Sequence, residues 1–180
     1  MTLKTTPRLS EKTKQEFPEN VISQMQDALD SGKWMIRTSK DGLGYGGFKW
    51  KPTGRWTTAP DWNGKPNCGG GLHGSGPLGF GYFSKETTRF EFCLTQGNII
   101  PISDNDGGAY SKVKVKKAKI IAVSNHLFLD GLSVGGSLDL EGTQITALPD
   151  GLSVGGYLDL RGTQITALPD GLSVGGGIIR

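Results

Sequence analysis

The sequence predicts an α+β fold: a small mixed domain of one helix and five or six strands, continued by a short β-solenoid. Residues 130–149 and 150–169 are copies of one twenty-residue unit, and a third copy begins at Asp170. A fixed period of this length with recurring apolar positions is typical of a solenoid. Upstream of the repeats, apolar residues recur at helical spacing in one segment and alternate with polar residues in several others.

The chain divides into three parts. Residues 1–16 are polar, and we expect a flexible N-terminus. Residues 17–127 carry the helical and alternating patterns and are predicted to form the α+β domain, in which residues 40–81 are a loop region rich in Gly and Trp. Residues 128–180 hold two and a half repeats, which are too few to bury their apolar residues alone. We therefore expect the repeats to extend the first domain.

One helix is predicted, beginning at Pro18 and stopping at Gly32, because apolar residues recur on one face between them. Alternation predicts strands at residues 34–39 and 88–94, and at the lysine-rich segment SKVKVKKAKIIAVSN. The segments FKW and GRWTTA suit short hairpin strands inside the glycine-rich region.

The composition of the chain restricts the classes of protein to which it could belong. The net charge of +3 is too small to indicate nucleic-acid binding by itself, although residues 130–180 are acidic and the rest of the chain is basic. No apolar run is long enough to span a membrane, and the N-terminus lacks the apolar core of a signal peptide. Two cysteines make no disulfide framework. We therefore expect a protein of the reduced cytoplasm.

In the repeat LDLEGTQITALPDGLSVGGS, Leu138 and Leu140 are predicted to point inward from a short strand. This frame resembles the bacterial twenty-residue leucine-rich repeat, with Thr143 and Thr163 where that family places Asn. A β-helix-like solenoid, with LSV and LDL as two strands per coil, stays open as the alternative. Stacking of the copies would place Asp139 beside Asp159.

Residues 45–123 resemble an uncharacterised domain of phage and bacterial proteins. The resemblance rests on GFKWKPTGRW, CGGGLHG, TRFEFCLTQGNII and YSKVKVKKAKIIAVS. Cys68, His73 and Lys117 match its recurring features. The resemblance implies a phage or prophage origin and no activity.

The first functional hypothesis is a small binding or interaction protein with a protein partner and no cofactor, because no set of catalytic residues is complete. It would act through the solenoid and the Gly/Trp-rich loop surface. The candidate binding residues are Trp50, Trp56, Trp62, Lys114, Lys116, Lys117, Asp139, Tyr157 and Asp159.

An enzyme is the alternative. LHGS followed by GFGYFS resembles parts of the ADP-ribosyltransferase signature. That resemblance implies NAD as cofactor, with His73 holding the ribose, Tyr82 stacking on nicotinamide and Glu91 as the catalytic acid. The spacing between His73 and Tyr82 is shorter than in the family.

Two further alternatives come from the basic strand and from the cysteines and histidines. The lysines of residues 112–119 could contact the phosphates of a single-stranded nucleic acid while tryptophans stack on its bases. Cys68, His73, Cys93 and His126 could form a zinc site, although their spacing is not a strong metal signature. We expect no metal there.

The third repeat copy predicts a homodimer through residues 170–180. Leu172 and Val174 can cover the second copy, but Ile179 stands where the earlier copies have Asp139 and Asp159. An exposed isoleucine beside an open strand edge favours pairing with a second chain through Leu172, Val174, Ile178 and Ile179.

Overall fold

The protein is described by a computed structural model, which covers residues 6–44, 47–81, 83, 88–102 and 111–180. Within these ranges there are two helices, α1 (Glu11–Glu16) and α2 (Glu19–Ser31). The strands of the main sheet and of the N-terminus are β1 (Arg8–Leu9), β2 (Trp34–Ser39), β3 (Trp56–Thr58), β4 (Leu72–Gly74), β5 (Arg89–Ile102) and β6 (Lys112–Ser124). The repeats contribute β7 (Leu129–Asp130), β8 (Ser133–Val134), β9 (Leu138–Asp139), β10 (Ser153–Val154), β11 (Tyr157–Asp159), β12 (Ser173–Val174) and β13 (Gly177–Ile179).

Helix α2 confirms the predicted helix and its stop signal. Met25 and Ala28 on its apolar face are buried. Gly32 ends the helix in the left-handed conformation, with φ of 65°, and its N–H bonds the last turn. Glycine adopts this conformation without the steric cost that a Cβ imposes, so the helix end is determined locally.

The main sheet has the order β2-β5-β6-β3, and β4 pairs with the same edge of β6 as β3. All of these pairs are antiparallel. The two long strands, β5 and β6, change register at two bulges. The predicted strand at 88–94 and the segment NIIPIS that follows are therefore parts of one strand.

Two apolar clusters lie on the two sides of this sheet. The larger cluster joins α2, Trp34, Phe90 and Phe92 to the leucines of the repeats. The smaller cluster, which includes Met35, Cys93 and Val115, lies under the glycine-rich loops. The repeats and the sheet therefore share one core.

The repeat copies stack in parallel at a spacing of twenty residues. Ser133, Ser153 and Ser173 lie side by side in the sheet β12-β10-β8, and a second sheet has the order β13-β11-β9. The predicted β-solenoid extension is wrong: the protein is mostly β, with several small sheets, none of which is a solenoid or a closed barrel. Strands of two or three residues separated by Gly-Gly corners form only short ladders. A mixed α+β arrangement of residues 17–127 is compatible with the structure.

The N-terminal segment is attached to the start of the repeats. Residues 8–16 were expected to be flexible, but β1 pairs with β7 and Ser10 caps α1. The Thr13 hydroxyl donates to the carbonyl oxygen of Phe128 (2.7 Å) and contacts His126 Nε2 (3.0 Å). Long-range contacts of this kind order a polar segment that shows no apolar pattern of its own.

Replacing Gly155 with alanine is expected to lower the free energy of unfolding by about 1–3 kcal/mol, which is the usual range for overpacking. A Cβ on Gly155 would lie 2.5 Å from the carbonyl oxygen of Gly135 in the copy below. Two stacked backbones cannot both move away without losing their hydrogen bonds. Chemical denaturation measures the effect.

The matched control for this substitution is Ser153→Ala, at an exposed position of β10, which ends one residue before Gly155. Its expected change in unfolding free energy is within about 0.5 kcal/mol. Equal effects of the two substitutions would contradict close stacking at Gly155.

Candidate functional site

One part of the main sheet is open to solvent. Directly opposed residues on neighbouring strands point to the same side of a sheet. Across the sheet, Trp34, Leu94, Lys119 and Trp56 form one row, in which Trp34 is buried and Trp56 is exposed. Helix α2 and the repeats thus cover one half of this side and leave the other half uncovered.

The uncovered half contains six side chains from three strands, and we call it the Trp56 surface. The first row is Trp56, Lys119 and Leu94, and the second is Thr58, Lys117 and Gln96. The alternate residues of these strands, Thr57, Ala118 and Thr95, are buried on the other side. Strand alternation therefore places the six side chains of the surface together.

Two ammonium groups lie against the exposed indole ring. Lys117 Nζ is 5.4 Å and Lys119 Nζ is 5.3 Å from the ring centroid of Trp56. Trp56 is 37% exposed. A cation over an aromatic ring at an exposed site stabilises the pair by about 0.5–1 kcal/mol. The ring and the two cations are thereby held in one arrangement on the surface.

Two of the three segments that form the Trp56 surface are free of acidic residues, and the one acidic residue of the third, Glu91 on β5, is buried. Neither residues 49–60 nor residues 111–124 contain Asp or Glu. Arg55 and Lys116, which are next in sequence to residues of the surface, are exposed, and Lys33 donates to the carbonyl oxygen of Gly97 (2.8 Å) at its edge. The local charge is therefore positive, although the net charge of the chain is small.

Lys114, predicted as a binding residue, is buried and binds the protein's own loop. Its ammonium group donates to Asn63 Oδ1 (2.8 Å) and to the carbonyl oxygens of Asn67 (3.0 Å) and Gly69 (2.8 Å). Burial lowers the pKa of Lys114, while Cys68 and Asp61 oppose that shift. The three donors of Lys114 therefore hold the glycine-rich loop, and this ammonium group is engaged within the protein.

The other predicted tryptophans belong to the smaller apolar cluster. Trp50 and Trp62 are partly buried against it. The Arg37 guanidinium carbon lies 4.1 Å from the Trp50 ring centroid, and Lys114 Nζ lies 5.8 Å from that of Trp62. Of the three, Trp56 presents the most open ring.

Glu91, the acid of the enzyme alternative, is fully buried between two arginines. Its carboxylate lies 3.0 Å from Arg37 Nε and 2.8 Å from Arg89 Nε, and it accepts a hydrogen bond from Ser39 Oγ (2.8 Å). Burial lowers the pKa of Arg37, and Glu91 opposes that shift. This arrangement does not favour Glu91 as a catalytic acid.

Of the remaining residues of that alternative, His73 lies in the described part of the chain and Tyr82 does not. His73, on β4, lies opposite Lys114, and burial together with Lys112 and Lys114 lowers its pKa.

The four residues of the zinc alternative are not gathered at one place. Cys93 is buried in the sheet, where burial raises the pKa of its thiol, and Cys68 is exposed. His126 is bonded to Thr13 and Ser124 at the start of the repeats. Among the described residues, one group of possible metal ligands has its atoms close enough together to hold an ion. It consists of Asp139, Glu141 and Asp159.

An arginine pairs with two of the three carboxylates in that acidic group. Asp139 and Asp159 are paired in register, as expected from stacking. Arg161 Nη2 lies 2.6 Å from Asp159 Oδ2 and 3.3 Å from Glu141 Oε2. Tyr157, the third predicted binding residue of the repeats, is exposed beside this group.

Sequence reasoning identified the basic strand but not which lysines form the surface. Lys112 and Lys114 are buried, whereas Lys117 and Lys119 lie on the open side. A shift in register between β5 and β6 separates the two pairs. No signal in the lysine pattern alone reveals that shift.

No protein-family model, curated protein or solved structure matches the chain. The resemblances to leucine-rich repeats and to the phage domain stay predictions. Within the described residues, no helix has both the length and the apolar character needed to cross a membrane.

Proposed function

We propose that the protein is a binding protein whose ligand is single-stranded nucleic acid, held at the Trp56 surface. The observation that carries the proposal is the exposed Trp56 ring with the ammonium groups of Lys117 and Lys119 beside it. An aromatic ring can stack on an unpaired base, and neighbouring cations can contact the phosphates on either side of that base.

The choice of a single strand follows from the position of the ring. Trp56 projects from the open side of a sheet. A base of a duplex is stacked within the helix, so a ring on a sheet surface reaches a base face only when the strand is unpaired. The lysines and the exposed Arg55 then provide charge along the backbone of the strand.

The test is fluorescence anisotropy with a labelled oligothymidylate of about fifteen nucleotides. Trp56→Ala is expected to weaken binding by about tenfold or more, because stacking on one base contributes about 1–3 kcal/mol. Trp56→Phe should retain part of the affinity. The joint variant Lys117→Ala/Lys119→Ala should reduce the slope of log affinity against log salt by about 1.4, since each phosphate contact on a single strand contributes about 0.7.

Matched controls distinguish the effect of changing the Trp56 surface from the effect of removing positive charge or an aromatic ring elsewhere. Lys12→Ala/Lys14→Ala removes the same charge from exposed positions on α1, and Tyr157→Ala removes an exposed aromatic ring from the repeats. Neither should change affinity more than about twofold. Equal binding of heparin and oligothymidylate, with no effect of Trp56→Ala, would refute base stacking and with it the proposal.

The proposal includes a reduced, cytoplasmic setting. It is supported by the two cysteines, which are both free: Cys68 is exposed and Cys93 is buried. Disulfides form mainly in oxidising compartments, so unpaired thiols fit a reducing one.

A further inference from the structure

The side chains of the Trp56 surface stand in three columns, one for each strand. The middle strand, β6, carries Lys117 and Lys119. On one side β3 carries Trp56, and on the other side β5 carries Leu94 and Gln96. Neighbouring strands lie about 4.8 Å apart, so the two outer columns are about 10 Å apart. The order across the sheet is therefore an aromatic ring, two cations, and an apolar side chain with a carboxamide.

This order matches one step of a nucleic-acid strand, in which a phosphate connects two successive nucleotides. A base stacked on Trp56 places the next phosphate toward the ammonium groups of Lys117 and Lys119, which lie 5.4 Å and 5.3 Å from the ring centroid. The second base then reaches the β5 column. There the partly buried Leu94 offers an apolar contact to the face of the base, and the exposed Gln96 lies beside its edge.

The backbone of Gln96 is held in place by a β-bulge and by a lysine. The register of β5 changes between Gln96 and Ile99, and Gly97 adopts the left-handed conformation with φ of 88°. The carbonyl oxygen of Lys33 accepts from the Thr95 N–H (2.9 Å), and its ammonium group donates to the Gly97 carbonyl oxygen (2.8 Å). Bulges re-aim side chains beside functional sites. Lys33 thus fixes the chain on both sides of Gln96.

The side chain of Gln96 is available to a ligand. It is exposed, and in the part of the chain that the structure describes no residue forms a hydrogen bond with its carboxamide. A carboxamide presents N–H donors beside a carbonyl acceptor. A base that bonds to this group therefore breaks no hydrogen bond within the described protein.

We infer that Gln96 contacts the edge of the second base and selects adenine, an inference that rests on the proposed function and deepens it. Glutamine pairs with adenine through two hydrogen bonds, one from the 6-amino group and one to a ring nitrogen. Adenine has this donor and acceptor pair on both its Watson–Crick and its Hoogsteen edge, and both edges are accessible in an unpaired strand. Guanine has two acceptors on its Hoogsteen edge, and the pyrimidines offer a smaller face to Leu94.

Fluorescence anisotropy with two labelled oligodeoxynucleotides of about fifteen nucleotides tests the inference. One contains adenine throughout, and the other contains unsubstituted purine, which has the same two rings but lacks the 6-amino group. The protein is expected to bind the adenine oligonucleotide about fivefold more tightly, which is the lower end of the discrimination by one carboxamide pair. Gln96→Leu, which removes the carboxamide from an exposed position, should bind both oligonucleotides with equal affinity.

Gln144→Leu is the matched control, because Gln144 is an exposed carboxamide side chain of the repeats. It should keep the preference for adenine, and circular dichroism should show that both variants are folded. Equal affinity of the original chain for the two oligonucleotides, or an unchanged preference in Gln96→Leu, would overturn the inference.

Trp56→Ala distinguishes this failure from that of the proposed function. If the two oligonucleotides bind equally and Trp56→Ala weakens the binding of both, the proposed function holds and only the role of Gln96 is refuted. If Trp56→Ala changes neither affinity, the proposed function fails, and the inference fails with it.

Discussion

Replacing Glu91 with leucine is expected to lower the free energy of unfolding by about 3–5 kcal/mol. Glu91 lies opposite Arg37 in the antiparallel pair of β2 and β5, and both side chains are buried. Removing the carboxylate leaves the Arg37 guanidinium in the protein interior without its counter-charge. Desolvation of an unpaired charge is costly, whereas the pair compensates much of that cost. Denaturation by guanidinium chloride, followed by circular dichroism, measures the change.

Two variants make this prediction specific. Glu141→Leu removes a carboxylate from the exposed pair with Arg161 and should cost at most about 1 kcal/mol. Arg37→Leu/Glu91→Leu removes both buried charges and should recover much of the stability lost in the single variant. A loss below about 1 kcal/mol for Glu91→Leu would show that the buried arginine is compensated by other groups.

The stability of the protein is expected to decrease as the pH falls from 6.5 to about 4, because His126 is held neutral in the folded state. Burial, with a contribution from Lys12, lowers the pKa of His126 from 6.5 to about 4, although Glu16 opposes this shift. The unfolded chain takes up a proton near pH 6.5, and the folded protein does so only near pH 4. The stabilisation is complete above pH 6.5, and at most about 3 kcal/mol is lost across this window.

Geometry explains why the neutral ring is favoured. Thr13 donates its hydroxyl hydrogen to Phe128, so His126 Nε2 must donate to Thr13. The Ser124 hydroxyl lies 2.6 Å from Nδ1 and 3.2 Å from Glu16 Oε2, and the ring is neutral when this hydroxyl donates to Nδ1, the shorter of the two contacts. Glu16 Oε2 lies 3.4 Å from Nδ1 and is partly exposed. Solvent screens its negative charge, so Glu16 stabilises a proton on Nδ1 only weakly. The contacts of the ring thus fit one neutral tautomer.

The unfolding free energy of the protein and of His126→Gln, measured between pH 7 and pH 4, tests this prediction. Carboxylates contribute equally to both chains, so the difference between the two curves isolates His126. His73→Gln is the matched control for the other histidine of the chain, whose pKa is also lowered. Parallel curves for the protein and His126→Gln would contradict the assigned role of His126.

Structural features that depend on residues close together in the chain could be predicted from the sequence. Helix α2 begins after Pro18 and ends at Gly32, because a proline and a left-handed glycine act within one turn. The twenty-residue register of the repeats was also visible, since nearly identical copies place the same residue types side by side. The sequence therefore indicated the stacking of the repeats, and the alternative with LSV and LDL as two strands per coil indicated the segments that form the small sheets.

Only the tertiary structure decided the environments of the charged side chains. Lys114 and Lys117 are three residues apart on one strand. The first is buried and its ammonium group bonds the glycine-rich loop, whereas the second lies on the open Trp56 surface. Their difference depends on which element lies beside each part of β6: Lys114 lies opposite His73 on β4, and Lys117 lies opposite Thr58 on β3. Glu91 meets Arg37 across strands separated by about fifty residues of chain. A sequence determines local conformation through its neighbours, whereas burial and ion pairing depend on which distant strand is adjacent, and that is settled only when the core packs.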